Sequence, residues 1–191
     1  MVIEQILVGH MAVFCYLIGD EESGEAVLVD PASDFDRITS YIEKYNFTIK
    51  MIINTHGHGD HIAVNDRFDV PVYIHRLDAD FLTDTDLNLS KSFMGGVQSP
   101  KAGRLLEEGD VIGLGRLKLG IVHTPGHTPG SISVRVGGVV FTGDALFAGS
   151  IGRTDFAYGD TQLLMDSIAS KLFTLDDDTV IYPGHGGSST I

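Results

Sequence analysis

The chain has one cysteine, Cys15, so no disulfide can form within it. Cys15 lies in the apolar run Ala12-Val13-Phe14-Cys15-Tyr16-Leu17-Ile18 and reads as a small buried strand residue, not a nucleophile. So low a count fits a reducing compartment. No apolar run approaches the ~20 residues needed to span a bilayer. The start, Met1-Val2-Ile3-Glu4, lacks the charged head and apolar block of an export signal, so a cytoplasmic location is expected. Positive charge is scarce. Thirteen Lys and Arg face 26 Asp and Glu, a formal net charge of -13. That balance argues against nucleic acid and against an anionic membrane surface as partners. Repeats and low-complexity linkers are absent too. What remains is 191 residues, 43% hydrophobic and 20% charged, enough for one domain over 1–191 with a sizeable core.

Extended segments are expected at residues 2–8, 13–18 and 26–30, with Gly19–Gly24 as a hairpin turn between the last two. Phe35, Ile38, Ile42 and Tyr45 repeat at helical spacing, which predicts a helix over 34–45 capped by Ser33 or Asp34. A buried strand at 49–53 follows, then a short helix at 63–68, a strand at 72–74 and a helical turn at 77–82. Residues 84–103 are polar and aperiodic and read as a long surface loop, a lid or rim. Strand patterns resume at 117–122, 132–136 and 139–141, the last two joined by Gly137-Gly138. Leu164, Ile168 and Leu172 mark a helix over 161–172, with Thr161 as its cap, before a final strand at 179–182. Strands first, then strands mixed with helices, predict a layered α/β domain with ligands at strand ends.

Against this background one stretch stands out. Thr55-His56-Gly57-His58-Gly59-Asp60-His61 places three imidazoles and a carboxylate behind the apolar run Met51-Ile52-Ile53. Imidazole with carboxylate is a donor set for zinc, iron or manganese. A polar turn that is merely rich in histidine would not explain three further segments of the same design. His123-Thr124-Pro125-Gly126-His127, Phe141-Thr142-Gly143-Asp144 and Tyr182-Pro183-Gly184-His185 each end an apolar strand in a glycine-containing turn that carries His or Asp. Four such strand ends imply one edge where all four loops meet.

The set resembles the metallo-β-lactamase superfamily across nearly the whole chain and in the expected order. The resemblance implies a four-layer αββα sandwich with metal at one edge of its two sheets. It implies two divalent ions per chain, zinc first, iron or manganese as alternatives. His56, His58 and His127 would hold one ion, and Asp60, His61 and His185 the other. Asp144 would bridge them, and Asp60 and Asp144 would be the catalytic carboxylates. Asp144 stands where classical β-lactamases often have Cys, which points away from antibiotic hydrolysis. Gly59 stands where diiron flavoprotein relatives have Glu, which disfavours oxygen reduction.

Within the superfamily the chain is most similar to the glyoxalase II group and its short single-domain relatives. The segments that carry this are His123–Gly130, Phe141–Phe147 and Gly152-Arg153-Thr154-Asp155-Phe156. Two departures stand out. The chain stops at Ile191, without the C-terminal helical domain that supplies part of the glutathione site. Asp155 replaces the aromatic hydroxyl found two residues after the basic residue aligned with Arg153. The leading expectation is hydrolysis of a small anionic thioester of the S-lactoylglutathione type, by a water deprotonated between the two ions. Two divalent cations in a cleft would attract such an anion despite the net charge of the chain.

An alternative is the mononuclear iron persulfide dioxygenase, which shares the Gly152–Phe156 segment and would use His56, His127 and Asp144. Ile151 replaces the Cys usual there. Another thioester or lactone hydrolase of the superfamily is a further alternative, and a binding module that keeps its ligands without turnover is the last.

Other residues have plainer readings. Arg153 is either a fork for a substrate carboxylate or the partner of Asp155 or Asp160. Tyr158 and Phe147 are expected to line the pocket. Asp30 ends a strand near the site and is expected to orient a ligand histidine. His123 is expected to be structural, and His10 and His75 to be held by local hydrogen bonds. Asp176-Asp177-Asp178 reads as a solvated turn.

Overall fold

A computed structural model describes residues 1–191. The first half forms a six-stranded sheet, in the order β1 (Val2–Val8), β2 (Val13–Asp20), β3 (Glu25–Val29), β4 (Thr48–Ile53), β5 (Val72–His75) and β6 (Arg104–Leu106). The second half forms another six-stranded sheet from β7 (Val111–Leu114), β8 (Leu117–His123), β9 (Ile132–Val136), β10 (Val139–Gly143), β13 (Val180–Pro183) and β14 (Ser189–Thr190). A two-stranded ribbon, β11 (Leu146–Phe147) with β12 (Ser150–Ile151), follows β10.

Side chains alternate across each strand, so each sheet has two faces to cover. Tyr16, Ile18, Val27, Val29 and Ile53 of the first sheet meet Leu119, Ile121, Val134 and Phe141 of the second in one buried cluster. The opposite face of the first sheet is covered by α1 (Phe35–Tyr45), whose Ile38 is fully buried. The opposite face of the second is covered by α4 (Thr161–Ser167) and its π-helical continuation Ile168–Leu172, through Leu164, Ile168 and Leu172. Each fully buried Leu or Ile contributes roughly 1.5–3 kcal/mol relative to exposure. The layers are therefore α, β, β, α, as expected.

Strand direction decides where the site lies. β3, β4 and β5 are mutually parallel. β8 and β10 are each antiparallel to β9, and β10 is parallel to β13, so β8, β10 and β13 share one direction. The loops that leave their carboxyl ends are those carrying His127, Asp144 and His185. A cross-sheet tie fixes the last of these. The buried Tyr16 hydroxyl donates to Pro183 O at 2.5 Å, and Phe14 N–H donates to Gly184 O at 2.8 Å.

Several local expectations are corrected. Asp34 sits at the start of α1 in a left-handed conformation, but its carboxylate accepts from Gly9 N–H, so it does not cap. Asp160, not Thr161, caps α4, accepting from Leu163 N–H at 2.9 Å. The helix expected at 63–68 begins earlier, as α2 (Gly59–Ile62) on the ligand loop itself, followed by a 3-10 turn at Asn65–Arg67. The loop at 84–103 contains a short helix, α3 (Ser90–Phe93). No helix is long and apolar enough to cross a membrane. Cys15 is buried within the first sheet, as expected.

Candidate metal centre

The donor atoms of His56, His58 and His127 lie within 4.8 Å of one another, and so do those of Asp60, His61 and His185. Asp144 stands between the two triads. Its carboxylate is 3.5 Å from His61 Nε2, 3.7 Å from His127 Nε2 and 3.6 Å from His185 Nε2. All seven residues picked from the sequence thus converge, although they come from four separate loops.

The approach is possible because some positions have no side chain. A Cβ on Gly184 would sit 2.4 Å from Asp144 Oδ1 and 2.7 Å from His61 Cε1. A Cβ on Gly57 would sit 2.3 Å from Phe81 Cβ. Glycine is required there for space.

Four of the five rings, those of His56, His58, His61 and His127, are held by the nitrogen that faces away from the centre, which sets the tautomer. His61 Nδ1–H donates to Asp30 Oδ2 at 2.9 Å, leaving Nε2 inward. His127 Nδ1–H donates to the carbonyl of Arg153 at 2.7 Å. Thr55 Oγ1 donates to Asp30 Oδ2 at 2.6 Å and so accepts from His56 Nδ1–H at 3.2 Å. His58 is turned the other way. Its Nε2–H points at Tyr158 Oη, 2.8 Å away, and that hydroxyl donates to Leu87 O at 3.0 Å. His58 therefore presents Nδ1, which lies 3.0 Å from His56 Nε2 and 2.9 Å from His127 Nε2. Three imidazole nitrogens with lone pairs aimed at one point, and no proton to share, are a binding site for a cation.

Electrostatics agree. Burial, and then the neighbouring imidazoles, hold His56 and His58 well below the ordinary imidazole value, so both are neutral donors. Burial raises Asp60, but His61, His185 and His58 outweigh it and keep the carboxyl below its usual range. For His61, burial opposes charging, yet Asp144, Asp60 and Asp30 outweigh it and lift the group to about 10. Carboxylates thus crowd one buried imidazole in search of positive charge. His61 Nε2 and Asp144 Oδ1 are moreover buried without a hydrogen-bond partner. Orphaned donors of this kind are costly unless something binds them, so the residues fit divalent metal.

The family model for the metallo-beta-lactamase superfamily matches residues 8–185. The chain belongs to this superfamily. Hydroxyacylglutathione hydrolase GloC of Haemophilus influenzae is 36% identical over 185 residues, 93% of this chain and 87% of that protein. The human mitochondrial persulfide dioxygenase ETHE1 is 36% identical over 182 residues, 90% of this chain but 63% of that protein. Among solved structures, the BLEG-1 B3 metallo-beta-lactamase superposes with a TM-score of 0.92 at 35% identity, covering 99% of this chain and 94% of that one. TTHA1623, in a di-iron-bound form, superposes with a TM-score of 0.85 at 30% identity, covering 98% and 94%. Superfamily members are mostly metal-dependent hydrolases, and the clustered His and Asp of this chain are those of a divalent-metal site.

The superfamily fold leaves an open cavity of about 490 Å³ above the ligands, lined on one side by the 84–103 segment and on the other by Phe147, Ile151, Arg153 and Phe156. The rim expected of that segment is present, and Phe147 is on the wall as expected. Tyr158 is not on the wall. It stands behind His58 with its hydroxyl engaged as described, so it orients a ligand instead of facing substrate. Arg153 reaches the cavity, but its guanidinium is paired with Asp155 at 2.7 and 2.8 Å. Asp30 orients His61, as expected. His123 accepts no ligand role either. It stacks on His75 at 4.0 Å between ring centroids and bonds to Pro129 O. His75 Nδ1 accepts from Leu77 N–H. His10 is exposed and its ring makes no hydrogen bond within the chain, contrary to expectation.

The residue that sequence reasoning missed is Asp78. It is fully buried in the 3-10 turn Arg76–Leu82. It accepts from Gly57 N–H at 3.0 Å, Thr128 Oγ1 at 2.7 Å and Gly130 N–H at 2.6 Å. Gly57 separates His56 from His58, and Thr128 follows His127, so one carboxylate clamps two ligand loops together. The only local sign is an acid at a helical turn between apolar neighbours.

Proposed function

We propose that the protein is a metal-dependent hydrolase of thioesters, a dinuclear relative of the hydroxyacylglutathione hydrolases. The observation that carries this reading is the pair of triads around Asp144 on the floor of an open cavity. His56 Nε2, His58 Nδ1 and His127 Nε2 would hold one divalent ion, and Asp60, His61 and His185 the other, with Asp144 shared. Ions so bound supply a Lewis acid and lower the pKa of water from about 16 to about 7. Zinc is the first choice, with iron and manganese also suited to these donors.

In the reaction, the oxygen of water bonds to the acyl carbon, the carbon–sulfur bond breaks, and the released thiol takes up a proton. The protein's own share is positional. Asp30, Thr55, Arg153 O and Tyr158 hold the four inner rings, and no protein nucleophile is needed. With ions bound, Asp60 and Asp144 would offset part of their charge, which would keep the attacking oxygen basic. Phe156 packs edge-on against His58 and His127, at 5.0 and 5.6 Å between ring centroids, and shields their flank from bulk water.

Glutathione thioesters are the first substrates to test, because the Haemophilus relative is named for them. Turnover of S-lactoylglutathione or of another thioester by metal-loaded protein, lost in Asp144→Ala, supports the reading. No turnover of any thioester above free metal rejects it. A β-lactam belongs in the same panel, and faster opening of it than of any thioester would replace the reading.

A second reading, the mononuclear iron dioxygenase, is favoured by the Gly152–Phe156 segment and the human relative. About one iron per chain with oxygen uptake on glutathione persulfide supports it; about two metals without oxygen uptake supports the hydrolase.

A further inference from the structure

The cavity has a polar floor and apolar walls. Met11, Phe93, Met94, Phe147 and Phe156 line it beside His58, Asp60 and His185. Met11 is 57% and Phe93 82% exposed, although apolar side chains of that size normally seek cover. Its volume of about 490 Å³ lies within the range of small-ligand sites.

This wall is held in place. Leu89, which also lines the cavity, has φ +63°, a left-handed conformation that an L side chain rarely adopts. Such strain persists only where the surroundings impose it. Here Asn88, fully buried, imposes it. Its Nδ2 donates to Phe81 O and Val97 O, its Oδ1 accepts from Ser90 N–H, and its carbonyl accepts from Gly59 N–H at 2.9 Å. The apolar segment is thereby tied directly to the ligand loop between His58 and Asp60.

Glutathione would bring two carboxylates and an ammonium to this surface. Recognition of such carboxylates calls for unpaired cations. The one Lys or Arg that lines the cavity, Arg153, is engaged bidentately by Asp155. Lys91 on α3 is paired with Asp86 at 2.8 Å. The walls offer hydrocarbon contact and no free fixed positive charge.

We propose that the apolar wall receives a hydrocarbon arm, so that the substrate class is a medium-chain acyl thioester on a small uncharged carrier in preference to a glutathione conjugate. The proposal rests on the thioesterase reading and narrows it. Hydrolysis would release the medium-chain carboxylic acid and the carrier thiol, with water supplying the oxygen and the thiol proton.

The test compares metal-loaded protein on acetyl, butanoyl and hexanoyl thioesters of N-acetylcysteamine and on S-lactoylglutathione. Burial of one methylene is worth a factor of about four, and half-burial about two. The kcat/KM for hexanoyl should therefore exceed that for acetyl by roughly 15- to 250-fold. Phe93→Ser combined with Met94→Ser, both on the exposed rim, should remove about tenfold of that advantage, read as the ratio of the hexanoyl to the acetyl kcat/KM in the same variant. A chain-length profile flat within threefold, or S-lactoylglutathione preferred over hexanoyl tenfold, overturns the inference and leaves the thioesterase reading standing. Calorimetric binding of the non-hydrolysable thioether S-hexyl-N-acetylcysteamine separates the two. If the wild type binds it, the rim variant does not, and no thioester turns over, the thioesterase reading falls and the apolar arm stands. If the wild type does not bind it, the apolar arm falls.

Discussion

Asp78 offers the sharpest perturbation, because two opposing effects meet there and their sizes can be compared. Asp78→Ala removes the acceptor of Gly57 N–H, Gly130 N–H and Thr128 Oγ1 in the interior. Each donor left unsatisfied costs about 1–3 kcal/mol, so a loss of about 4 kcal/mol is expected even after partial relaxation. Asp78→Asn keeps the shape but turns one oxygen into an NH₂ that faces donors, which costs about 1–3 kcal/mol. Against this, burial is the largest influence on the carboxyl. It lifts the group from 3.8 to about 6 in spite of the three donors. That shift corresponds to roughly 3 kcal/mol in favour of the protonated form. A folded value above the unfolded one means that the contribution is complete below about pH 4 and lost as pH rises through about 6. The penalty of Asp78→Asn, which carries no titrating group, should therefore be largest near pH 4 and shrink by up to about 3 kcal/mol towards pH 7.5. Urea unfolding of metal-free wild type and both variants at three pH values measures it. A penalty that grows with pH would show that the donors outweigh burial and the ionised clamp is the favoured form. A cost below about 0.5 kcal/mol for Asp78→Ala would refute the clamp itself.

Three further perturbations follow from the geometry. Gly184→Ala puts a Cβ 2.4 Å from Asp144 Oδ1, so metal content by elemental analysis should fall at least tenfold with the circular dichroism spectrum unchanged; full occupancy would show that the close approach is not needed. Tyr158→Phe frees His58 Nε2–H from its acceptor and should weaken metal affinity by about 10- to 100-fold in chelator competition, whereas unchanged affinity would deny the hydroxyl an orienting role. Asp155→Asn releases the Arg153 guanidinium towards the cavity and should lower the KM for S-lactoylglutathione several-fold, while a raised or unmoved KM would show that Arg153 does not reach an anionic substrate.

The layers of the fold were legible because their signals are local. The strands that became β1, β2, β3, β8, β9 and β10 alternate or run apolar over five or more residues, and α1 and α4 repeat at helical spacing. The strands that went unread, β6, β7, β11, β12 and β14, are two to four residues long. A segment that short has no period. β5 and β13 are as short, but they are interior strands legible as apolar runs, whereas these five lie at sheet edges or in the two-stranded ribbon, where pairing decides the conformation. The same holds for α3. Nothing in Leu87-Asn88-Leu89-Ser90 announces that Asn88 will be buried with three backbone partners; the bonds that fix it reach to Phe81 and Val97.

The site divides along the same line. The seven candidate ligands could be singled out in advance because His and Asp in the loops that follow apolar strands are donor residue types, and the resemblance to the superfamily supplied their grouping. Their orientation could not. Tyr158 lies 100 positions from His58, and its aromatic ring on a loop gave no hint whether it would face substrate or back a ligand. Arg153 was balanced between a substrate fork and an ion pair, and a two-residue separation from Asp155 closes that pair bidentately while the backbone carbonyl of the same residue holds His127. A side chain committed outward and a carbonyl committed inward explain why a basic residue can sit beside the metal ligands without lending the cavity an anion site. The preference of the cavity then falls to the hydrocarbon of Met11, Phe93 and Phe156, which composition alone would have counted as ordinary loop residues.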